Sequence, residues 1–387
     1  MTAQTARSAH GRRDGRGRAQ TRRPRPATVA DVARRAGTSR ATVSRVLNRY
    51  PHVRPEVRET VLRAIEALDY RPDRVAQSLV RRHTRTVGLL VADITNPVYA
   101  EAARAVTEVL GSHGYNVILA DSQYLPRLHR QHVGLLQENR VDGIIFGSVL
   151  LDDPDAERLL ASGYPCIMFN RRLRSGRGSY VVLDNVDAGR RVTRHVLELG
   201  HRRVAFIAGP TNTSTAAERL EGFRRALAES GVPVDDTLIR QGHYKADFAR
   251  QAGLELLGLP RPPTAIVAGN DLMALAVLQA AGELGVRVPE DVAVAGLDNI
   301  PMAAHHRIQL TTADNHAAEQ ARIAAGWMLE IISDPDRYAA EPFRQVVRPT
   351  LIVRATTGPP PGRGRRRPPT PGGDARPSHS EEKGAQP

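Results

Sequence analysis

Polar side chains that can bind a small ligand recur at one kind of place in this 387-residue chain, just after short apolar runs. Carboxylate, amide and guanidinium groups suit neighbouring hydroxyls of a ligand, and tyrosines can stack on a ring face. Five apolar runs are each followed by two such candidates: Asn96 and Tyr99, Asn170 and Arg171, Thr215 and Arg219, Asn270 and Asp271, and Asp298 and Asn299. Tyr244 is a further candidate for stacking.

The apolar runs themselves predict the elements that position these side chains. Runs that alternate with helical stretches are typical of buried parallel strands in an α/β fold, where ligands bind beyond the carboxyl ends of the strands. Eight strands exceed what one small sheet holds beside a cleft, so we expect two lobes. The predicted strands are Thr86–Ala92, Asn116–Asp121, Gly143–Gly147, Cys166–Phe169, Tyr180–Leu183, Val204–Gly209, Ala265–Ala268 and Val292–Gly296.

Two other interpretations of these residues stay open. Taken one at a time, Asn96, Thr215, Asn270 and Asp298 are also good helix caps or turn residues. An enzyme on an α/β scaffold is the other alternative. The sequence contains no H-E-x-x-H, P-loop or G-x-S-x-G motif and no evident nucleophile–base pattern, so we expect no enzyme, no metal and no cofactor.

A second group of motifs lies near the N-terminus and predicts a helix-turn-helix. Val29, Val32, Ala33 and Ala36 recur at helical spacing, as do Val43, Val46 and Leu47. Gly37 between them suits a tight turn, and Ser39 is placed to cap the second helix. Such a unit puts its second helix in the DNA major groove, although a helical hairpin used only for packing has the same pattern.

The distribution of charge favours DNA binding. Residues 1–27 carry +7, residues 28–85 another +7 and residues 358–387 +3, which leaves −3 on residues 86–357 of a chain with net charge +14. Positive charge outside a nearly neutral body is what phosphate binding needs. A basic membrane-surface segment is the rival explanation, but the N-terminal arginines have no apolar face beside them.

Composition narrows the class of protein further. Cys166, the single cysteine, excludes an intrachain disulfide and a Cys-rich zinc cluster, and its apolar surroundings predict an inert buried thiol. No stretch approaches a membrane span, and no apolar segment follows the basic N-terminus, so we expect a cytoplasmic, nucleoid-associated protein.

These motifs, in this order, resemble the lactose-repressor (LacI/GalR) family of bacterial transcription regulators. The matching pieces are Thr28-Val-Ala-Asp-Val-Ala, Ala36-Gly37, Thr42-Val-Ser-Arg-Val-Leu-Asn48, Tyr70-Arg-Pro72 and Val75-Ala-Gln-Ser-Leu79. The likeness continues to about residue 357. One departure is Asp314-Asn315-His316, where many relatives carry Gln-Pro.

The resemblance implies a small all-α helix-turn-helix headpiece followed by a two-lobed α/β body like that of periplasmic binding proteins, with doubly wound parallel sheets. The domains expected are a disordered basic tail 1–27, a headpiece 28–72, a hinge helix and linker 73–85, an effector-binding and dimerisation domain 86–357, and a disordered tail 358–387. The residues that fall where similar proteins contact their effector are Tyr99, Asn170, Arg171, Thr215, Arg219, Tyr244, Asn270 and Asp298. Asp184 and Asn185 also match, although they can instead serve a crossover between the lobes.

By family position, Arg40 and Ala41 set operator preference and Arg45 reads a base edge, since Arg bonds well to guanine. Hydroxyl and amide side chains better suit phosphates, which position the protein without specifying sequence. These side chains are Thr28, Ser39, Thr42, Ser44 and Asn48. The hinge helix of the resembled family forms on DNA, and the residue matching Leu79 wedges into the minor groove; simple packing against the body is the alternative for Leu79.

The sequence therefore predicts a regulator, most simply a repressor, that binds a palindromic operator as a homodimer under control of a small-molecule effector. A sugar is the expected effector, and a nucleobase is the main competitor. A sugar-binding receptor built on the same body is the runner-up from another class; it would lack the headpiece.

Overall fold

The computed structural model describes residues 27–47, 50–70 and 83–362, which fall into two units divided after residue 82. Within these ranges, no helix is long and apolar enough to cross a membrane. Asn48 and Leu79, to which the sequence assigns DNA contacts, lie outside the described residues, as do the predicted hinge helix and most of both tails.

The first unit contains α1 (Val29–Arg35), α2 (Arg40–Leu47) and α3 (Pro55–Ala67). Thr28 caps α1 through a reciprocal capping box with Asp31, and Ser39 Oγ accepts a hydrogen bond from Thr42 N at 3.1 Å to cap α2. Gly37 has φ +60°, so the turn between these helices uses a conformation that glycine adopts without strain. The helices pack through Val32, Ala33, Val43, Val46, Val61, Ala64 and Tyr70.

The inner face of α3 differs from the face that the sequence predicts. The apolar residues Val57, Val61, Leu62, Ile65 and Leu68 suggest one stripe, but Leu62 is 51% exposed and Ala64 is buried. Consecutive helical residues lie about 100° apart around the axis, and Leu62 lies on the side of Val61 that turns away from Val57 and Ala64. The small side chain of Ala64 completes the stripe instead.

The second unit holds two six-stranded sheets, one in each lobe. The first-lobe sheet has the order β11-β5-β4-β3-β1-β2, and the second-lobe sheet has the order β12-β10-β9-β8-β6-β7. Neighbouring strands are parallel except for the antiparallel pair β10–β12. The strands are β1 Thr86–Val91, β2 Asn116–Asp121, β3 Gly143–Phe146, β4 Cys166–Phe169, β5 Ser179–Leu183, β6 Val204–Ala208, β7 Ile239–Gln241, β8 Ala265–Ala268, β9 Ala293–Asp298, β10 Thr311–Asp314, β11 Arg344–Val347 and β12 Thr350–Ile352.

Helices cover both faces of these sheets, which is the doubly wound architecture. Apolar helix residues such as Val106, Phe223 and Met328 pack against apolar strand residues such as Leu89, Phe206 and Val267. The helices are α4 Pro97–Ser112, α5 Pro126–Glu138, α6 Pro154–Ala161, α7 Asn185–Glu198, α8 Ser214–Glu229, α9 Ala246–Leu257, α10 Asp271–Glu283, α11 Ala317–Ser333 and α12 Pro335–Ala340, with 3₁₀ turns at Asp236–Leu238 and Pro301–Ala304.

The chain passes between the lobes three times. It leaves the first lobe after β5, returns after β10 to form α11, and crosses again between β11 and β12. β5 and β11 are neighbours at one edge of their sheet, as β10 and β12 are in theirs. All three connections therefore lie on the same side of the two sheets.

The start of the predicted disordered C-terminal tail is ordered in the structure. The Gly358 carbonyl oxygen accepts a hydrogen bond from His201 Nε2 at 2.8 Å, and Thr357 Oγ1 lies 2.9 Å from His195 Nε2. Burial lowers the pKa of both histidines. The expectation that the tail begins at Gly358 is thus wrong, because these contacts hold that residue on the second lobe.

Candidate ligand site and nucleic-acid interface

A pocket between the two lobes collects the side chains that follow the predicted strands. Its first-lobe residues come after β1, β2 and β4, and its second-lobe residues come after β6, β7 and β8 and at the end of β9. All eight of the predicted effector residues line it, together with Asn96, Val98 and Tyr124: Tyr99, Asn170, Arg171, Thr215, Arg219, Tyr244, Asn270 and Asp298. The carboxyl ends of parallel strands meet here, as a doubly wound fold requires of a binding site.

Arg219 is the centre of the second-lobe side of the pocket. It is buried, yet each side of its guanidinium has a partner: Nε donates to Asn185 Oδ1 at 2.9 Å and Nη1 to the Gly269 carbonyl at 2.7 Å. Nη2 donates to Asp298 Oδ1 at 2.8 Å. Burial raises the pKa of Asp298, and the Arg219 charge opposes that rise. The result is a buried ion pair held in a fixed orientation.

Asn315 is a second partner of Asp298. Its Nδ2 donates to Asp298 Oδ1 at 3.0 Å, and its own Oδ1 accepts from the N–H of Ala317, the first residue of α11. Asn315 belongs to the segment that departs from the family pattern, and the sequence did not identify it as part of the site. Its role is visible only from the fold, because residues 298 and 315 meet through the pairing of β9 with β10.

The first-lobe side of the pocket is built from aromatic and amide groups. Asn170 Nδ2 donates to Tyr99 Oη at 3.2 Å, and the Arg171 guanidinium lies over the Tyr124 ring at 5.3 Å. Burial raises the pKa of Tyr99 and of Tyr124, so both phenols are neutral hydrogen-bonding groups. The sequence missed Tyr124, although it follows predicted strand β2 as the other site residues follow theirs.

The pocket is nearly closed. Tyr244 Oη donates to Thr215 Oγ1 at 3.1 Å, and the Tyr244 and Tyr124 rings lie 6.2 Å apart. The space that remains is about 20 Å³, the room of about one water molecule. A ligand with a ring therefore requires side chains or lobes to separate.

Backbone strain is concentrated at this pocket. Four of its lining residues have positive φ although none is glycine: Tyr124 (59°), Asn170 (64°), Tyr244 (57°) and Asp298 (136°). Each conformation of this kind costs on the order of 1–3 kcal/mol, and such strain is typical of binding and active sites. The strained backbone turns these side chains from the strand ends into the pocket.

The helix-cap interpretation holds for some of these residues and not for others. Asn96 Oδ1 accepts from Val98 N at 3.1 Å, and Asn270 Oδ1 accepts from Met273 N at 2.9 Å, so both cap a helix while lining the pocket. The cap of α8 is Thr213 and not Thr215, and Asp298 pairs with Arg219. Of the two residues that can serve the crossover between the lobes, Asp184 caps α7, and Asn185 accepts a hydrogen bond from Arg219.

Asp271 lies behind the pocket and is fully buried. Its Oδ1 accepts from Thr312 Oγ1 at 2.6 Å and its Oδ2 from Ile300 N at 3.0 Å. Burial, with the nearby Asp298 charge, raises the pKa of Asp271 to about 7. Asp271 does not line the pocket, whereas Asn299, the other unassigned candidate, bonds to Asp314 and Arg354.

Three contacts join the lobes beside the pocket. Leu151 N donates to the Asn212 carbonyl at 2.8 Å, and Arg172 N donates to Ser214 Oγ at 3.1 Å. The Arg172 side chain also pairs with Glu218 at 2.7 Å. In each contact the first residue belongs to the first lobe and its partner to the second, so these bonds form only while the lobes are closed.

A larger cavity of about 820 Å³ opens outside the pocket and shares Tyr124 and Arg171 with it. We call it the outer cavity. Its wall brings together Ser148, His129 and Asp153, with 3.2 Å from Ser148 Oγ to His129 Nδ1 and 3.1 Å from His129 Nε2 to Asp153 Oδ2. This is a serine–histidine–aspartate contact that the sequence did not predict. Asp153 also caps α6 by accepting hydrogen bonds from Asp155 N and Ala156 N, so this carboxylate has a structural role.

The second helix of the headpiece presents the predicted DNA-reading side chains to solvent. Arg40, Ala41 and Arg45 are exposed on α2, while Val43 and Val46 are buried on its opposite face. Ser44 is also exposed. Three of the predicted phosphate contacts have hydroxyls engaged within the unit: Thr28 Oγ1 donates to Asp31, and Ser39 and Thr42 are joined at 2.9 Å.

Comparison with known proteins agrees with both parts of this description. Residues 28–73 match the model of the bacterial regulatory proteins of the lacI family. Residues 84–356 match the model of periplasmic binding proteins and the sugar-binding domain of the LacI family. These two matches cover the first unit's helices and both lobes of the second.

Individual relatives align over nearly their whole length. The chain is 37% identical to the transcriptional regulator CelR of Thermobifida fusca, over 86% of this chain and 98% of the relative. It is 34% identical to the transcriptional repressor PurR of Photobacterium profundum, over 85% of this chain and 98% of the relative. A lac repressor dimer bound to operator and an anti-inducer is 27% identical and superimposes with a TM-score of 0.77 over 86% of this chain and 100% of that one. A CelR–cellobiose complex is 35% identical and gives 0.64 over 85% and 99%. This chain belongs to the LacI family of DNA-binding transcriptional regulators.

Proposed function

We propose that this regulator is a repressor that binds a palindromic operator as a homodimer and responds to a carbohydrate bound between its lobes. The observation that carries the effector part is the Arg219–Asp298 pair beside Asn170, Asn270 and Thr215 in one closed pocket. Fixed carboxylate, guanidinium and amide groups suit the adjacent hydroxyls of a sugar. The CelR–cellobiose complex, a relative with a sugar bound, supports the same class.

A nucleobase is the second candidate effector. Tyr99, Tyr124 and Tyr244 surround the pocket, and aromatic rings suit a planar heterocycle as well as a sugar face. The experiment therefore tests purines beside sugars.

Effector binding changes the equilibrium between open and closed lobes. In this proposal the lobes separate to admit a ring into the nearly closed pocket, which breaks contacts such as Arg172 to Glu218. A ligand shifts this equilibrium only by its difference in affinity for the open and closed forms, a coupling of about 1–3 kcal/mol in typical cases. The change reaches DNA through the hinge, residues 73–85, where Leu79 wedges into the minor groove.

On the DNA side, we assign base reading to Arg40, Ala41 and Arg45. Their exposure on one helix, opposite its buried face, supports this role. Thr28, Ser39, Thr42, Ser44 and Asn48 contact phosphates in this proposal. For Ser39 and Thr42 the cap bonds leave lone pairs and donors that can reorganise on DNA.

The proposed domains are the headpiece 28–72, the hinge helix and linker 73–85, and the effector and dimerisation domain 86–357. No enzymatic role is proposed, because the relatives are regulators and the Ser148–His129–Asp153 line already serves the cap of α6. A protein that acts on operator DNA works in the cytoplasm, at the nucleoid.

The test uses the full-length protein. Duplexes selected from a random pool should converge on a two-fold symmetric sequence, and Arg40→Ala should relax selection at one position of each half-site by about 1–3 kcal/mol of discrimination. Arg104→Ala is the matched control, since it removes an exposed arginine of the body that pairs only with Glu108. Addition of a sugar or a purine to the complex should change operator affinity.

Two results would contradict the proposal. A selected pool without two-fold symmetry removes the homodimeric operator, and equal loss of selection in Arg40→Ala and Arg104→Ala removes the assigned reading helix. Operator affinity that changes with purines and with no sugar replaces the carbohydrate effector by a nucleobase.

A further inference from the structure

Arg171 differs from the other charged groups of the ligand site in having no counter-charge. Its side chain is among the largest fully buried ones, and its Nε has no hydrogen-bond partner. Among the described residues, no carboxylate lies within ion-pair distance of it; its neighbours are the Tyr124 ring and the phenols of Tyr99 and Tyr244. A buried charge of this kind is costly unless a partner neutralises it.

The carboxylates around the two cavities are already used. Asp298, the carboxylate of the inner pocket, pairs with Arg219 at 2.8 Å. In the outer cavity, Asp153 lies 3.1 Å from His129 and Asp155 pairs with Arg158 at 2.8 Å. None of these groups is left to balance Arg171, so the described walls of the ligand site carry an excess of positive charge.

A second cation without an ion-pair partner among the described residues lines the outer cavity; Arg130, which also lines it, lies 3.6 Å from Asp155. Lys245, one of two lysines in the sequence, lines the outer cavity, and the described residues offer it no ion-pair partner. Arg171 lies where the inner pocket and the outer cavity meet, because it lines both. A ligand that fills the inner pocket and extends past Arg171 therefore enters the cavity that Lys245 lines.

We propose that the effector is an anionic carbohydrate whose acidic group pairs with Arg171 at this junction, with Lys245 as a second, more exposed contact. The inference rests on the proposed carbohydrate effector and adds the charge of that ligand. Polyol hydroxyls occupy the prearranged Arg219–Asp298 side, and the anion supplies the partner that Arg171 lacks. A carboxylate and a phosphate share this chemistry, since both accept paired hydrogen bonds from a guanidinium.

The test measures affinity and thermal shift for full-length protein with matched ligands. The ligands are glucose and galactose, their uronic acids, the methyl esters of those acids, the corresponding aldonates, and the 6-phosphates. We expect at least one acid to bind about tenfold or more tightly than its neutral parent and its methyl ester, a difference of about 1.4 kcal/mol. The better of the carboxylate and phosphate arms identifies the anion.

Two variants locate the effect. Arg171→Gln should bring the acid-to-neutral affinity ratio to about one, and Lys245→Gln should lower it about threefold. Arg174→Gln is the control for loss of a nearby arginine, because Arg174 is exposed and pairs with Asp152 outside both cavities. The ratio in Arg174→Gln should equal that of the native protein.

The results separate this inference from the proposed function. A neutral sugar that binds as tightly as its acid, or an acid preference that persists in Arg171→Gln, overturns the anionic effector while a carbohydrate effector stands. A panel in which no acid binds also overturns it. If only purines bind, the carbohydrate proposal fails as well.

Discussion

A buried arginine lies on each side of the ligand site, and the two differ in how many of their hydrogen-bond donors have partners. Arg219 donates to Asn185, Gly269 and Asp298 and has a partner on every side. Arg171, equally buried, rests on an aromatic ring with an unsatisfied Nε. One side of the site is complete without a ligand, and the other is not.

The contrast between the two arginines separates residues that stabilise the fold from residues that bind the ligand. Removing one partner of a buried ion pair leaves the other charge buried and unpaired, which destabilises the fold. Removing a buried charge that has no partner instead removes a desolvation penalty. The Arg219 side should therefore dominate stability, and the Arg171 side should matter chiefly to the ligand. Four variants test this contrast.

The largest effect should come from Asp298→Ala, which leaves Arg219 buried without its counter-charge. We expect the free energy of unfolding to fall by about 3–5 kcal/mol, measured by urea denaturation. The double variant Arg219→Met with Asp298→Ala should be more stable than Asp298→Ala alone. Additive losses would show that the two residues do not act as a pair.

Asp271 should give the same side of the site a distinctive pH dependence. Its folded pKa is about 7 against an ordinary value of 3.8, so between these values the folded state holds a proton that the unfolded state has lost. Stability from this group must fall as pH rises through that window and level off above pH 7. Between pH 5 and 7 the native protein should lose on the order of 2–3 kcal/mol relative to Asp271→Asn. Parallel stability–pH curves for the two proteins would contradict this.

Gly189→Ala tests the support beneath Arg219. A Cβ on Gly189 in α7 would lie 2.2 Å from the Arg219 carbonyl oxygen in α8, so the two helices must move apart. We expect a loss of about 1–3 kcal/mol in the free energy of unfolding together with weaker ligand binding. Gly111→Ala in α4 is the control, because a Cβ there meets nothing within 4 Å. Equal effects of the two substitutions would remove the packing argument.

The smallest effect, with the opposite sign, is expected for Arg171→Met. It removes a buried charge without a partner and should raise the free energy of unfolding by about 1 kcal/mol. Arg174→Met, which removes an exposed arginine, should leave that free energy unchanged. Strong destabilisation by Arg171→Met would mean that Arg171 is satisfied within the fold, which would erase the contrast with Arg219.

The fold was largely predictable because its central strands are continuous apolar runs. Three of them, including Asn116–Asp121, have the predicted bounds, and four differ by one residue at one end. The last, predicted as Val292–Gly296, begins one residue later and ends two residues later. The strands β7, β10, β11 and β12 were missed, since sequences such as Ile-Arg-Gln in β7 and Arg-Gln-Val-Val in β11 form no apolar run. Three of these four, β7, β11 and β12, are edge strands, which are specified by pairing with neighbouring strands.

Most of the residues that line the pocket were predictable from the sequence, whereas the groups that hold them in place were not. The eight proposed effector residues follow apolar runs or match family positions, and the fold brings them together. Tyr124 was missed because no candidate was assigned after the run Asn116–Asp121. Asn315 and the Gly269 carbonyl could not be inferred, because their contacts with Asp298 and Arg219 join segments that are far apart in the sequence.

Because the three connections between the lobes lie on one side of the sheets, they place the hinge between the lobes at one edge of the body. Opening must pivot near β5, β11, β10 and β12, so the far edges at β2 and β7 travel most. With strands spaced about 4.8 Å apart, β2 lies roughly 24 Å from the pivot, and a turn of about 10° moves it by about 4 Å. The exposed side chains of Ile118 and Leu119 belong to β2. A small rotation of the lobes at the ligand therefore produces a larger displacement of this apolar edge.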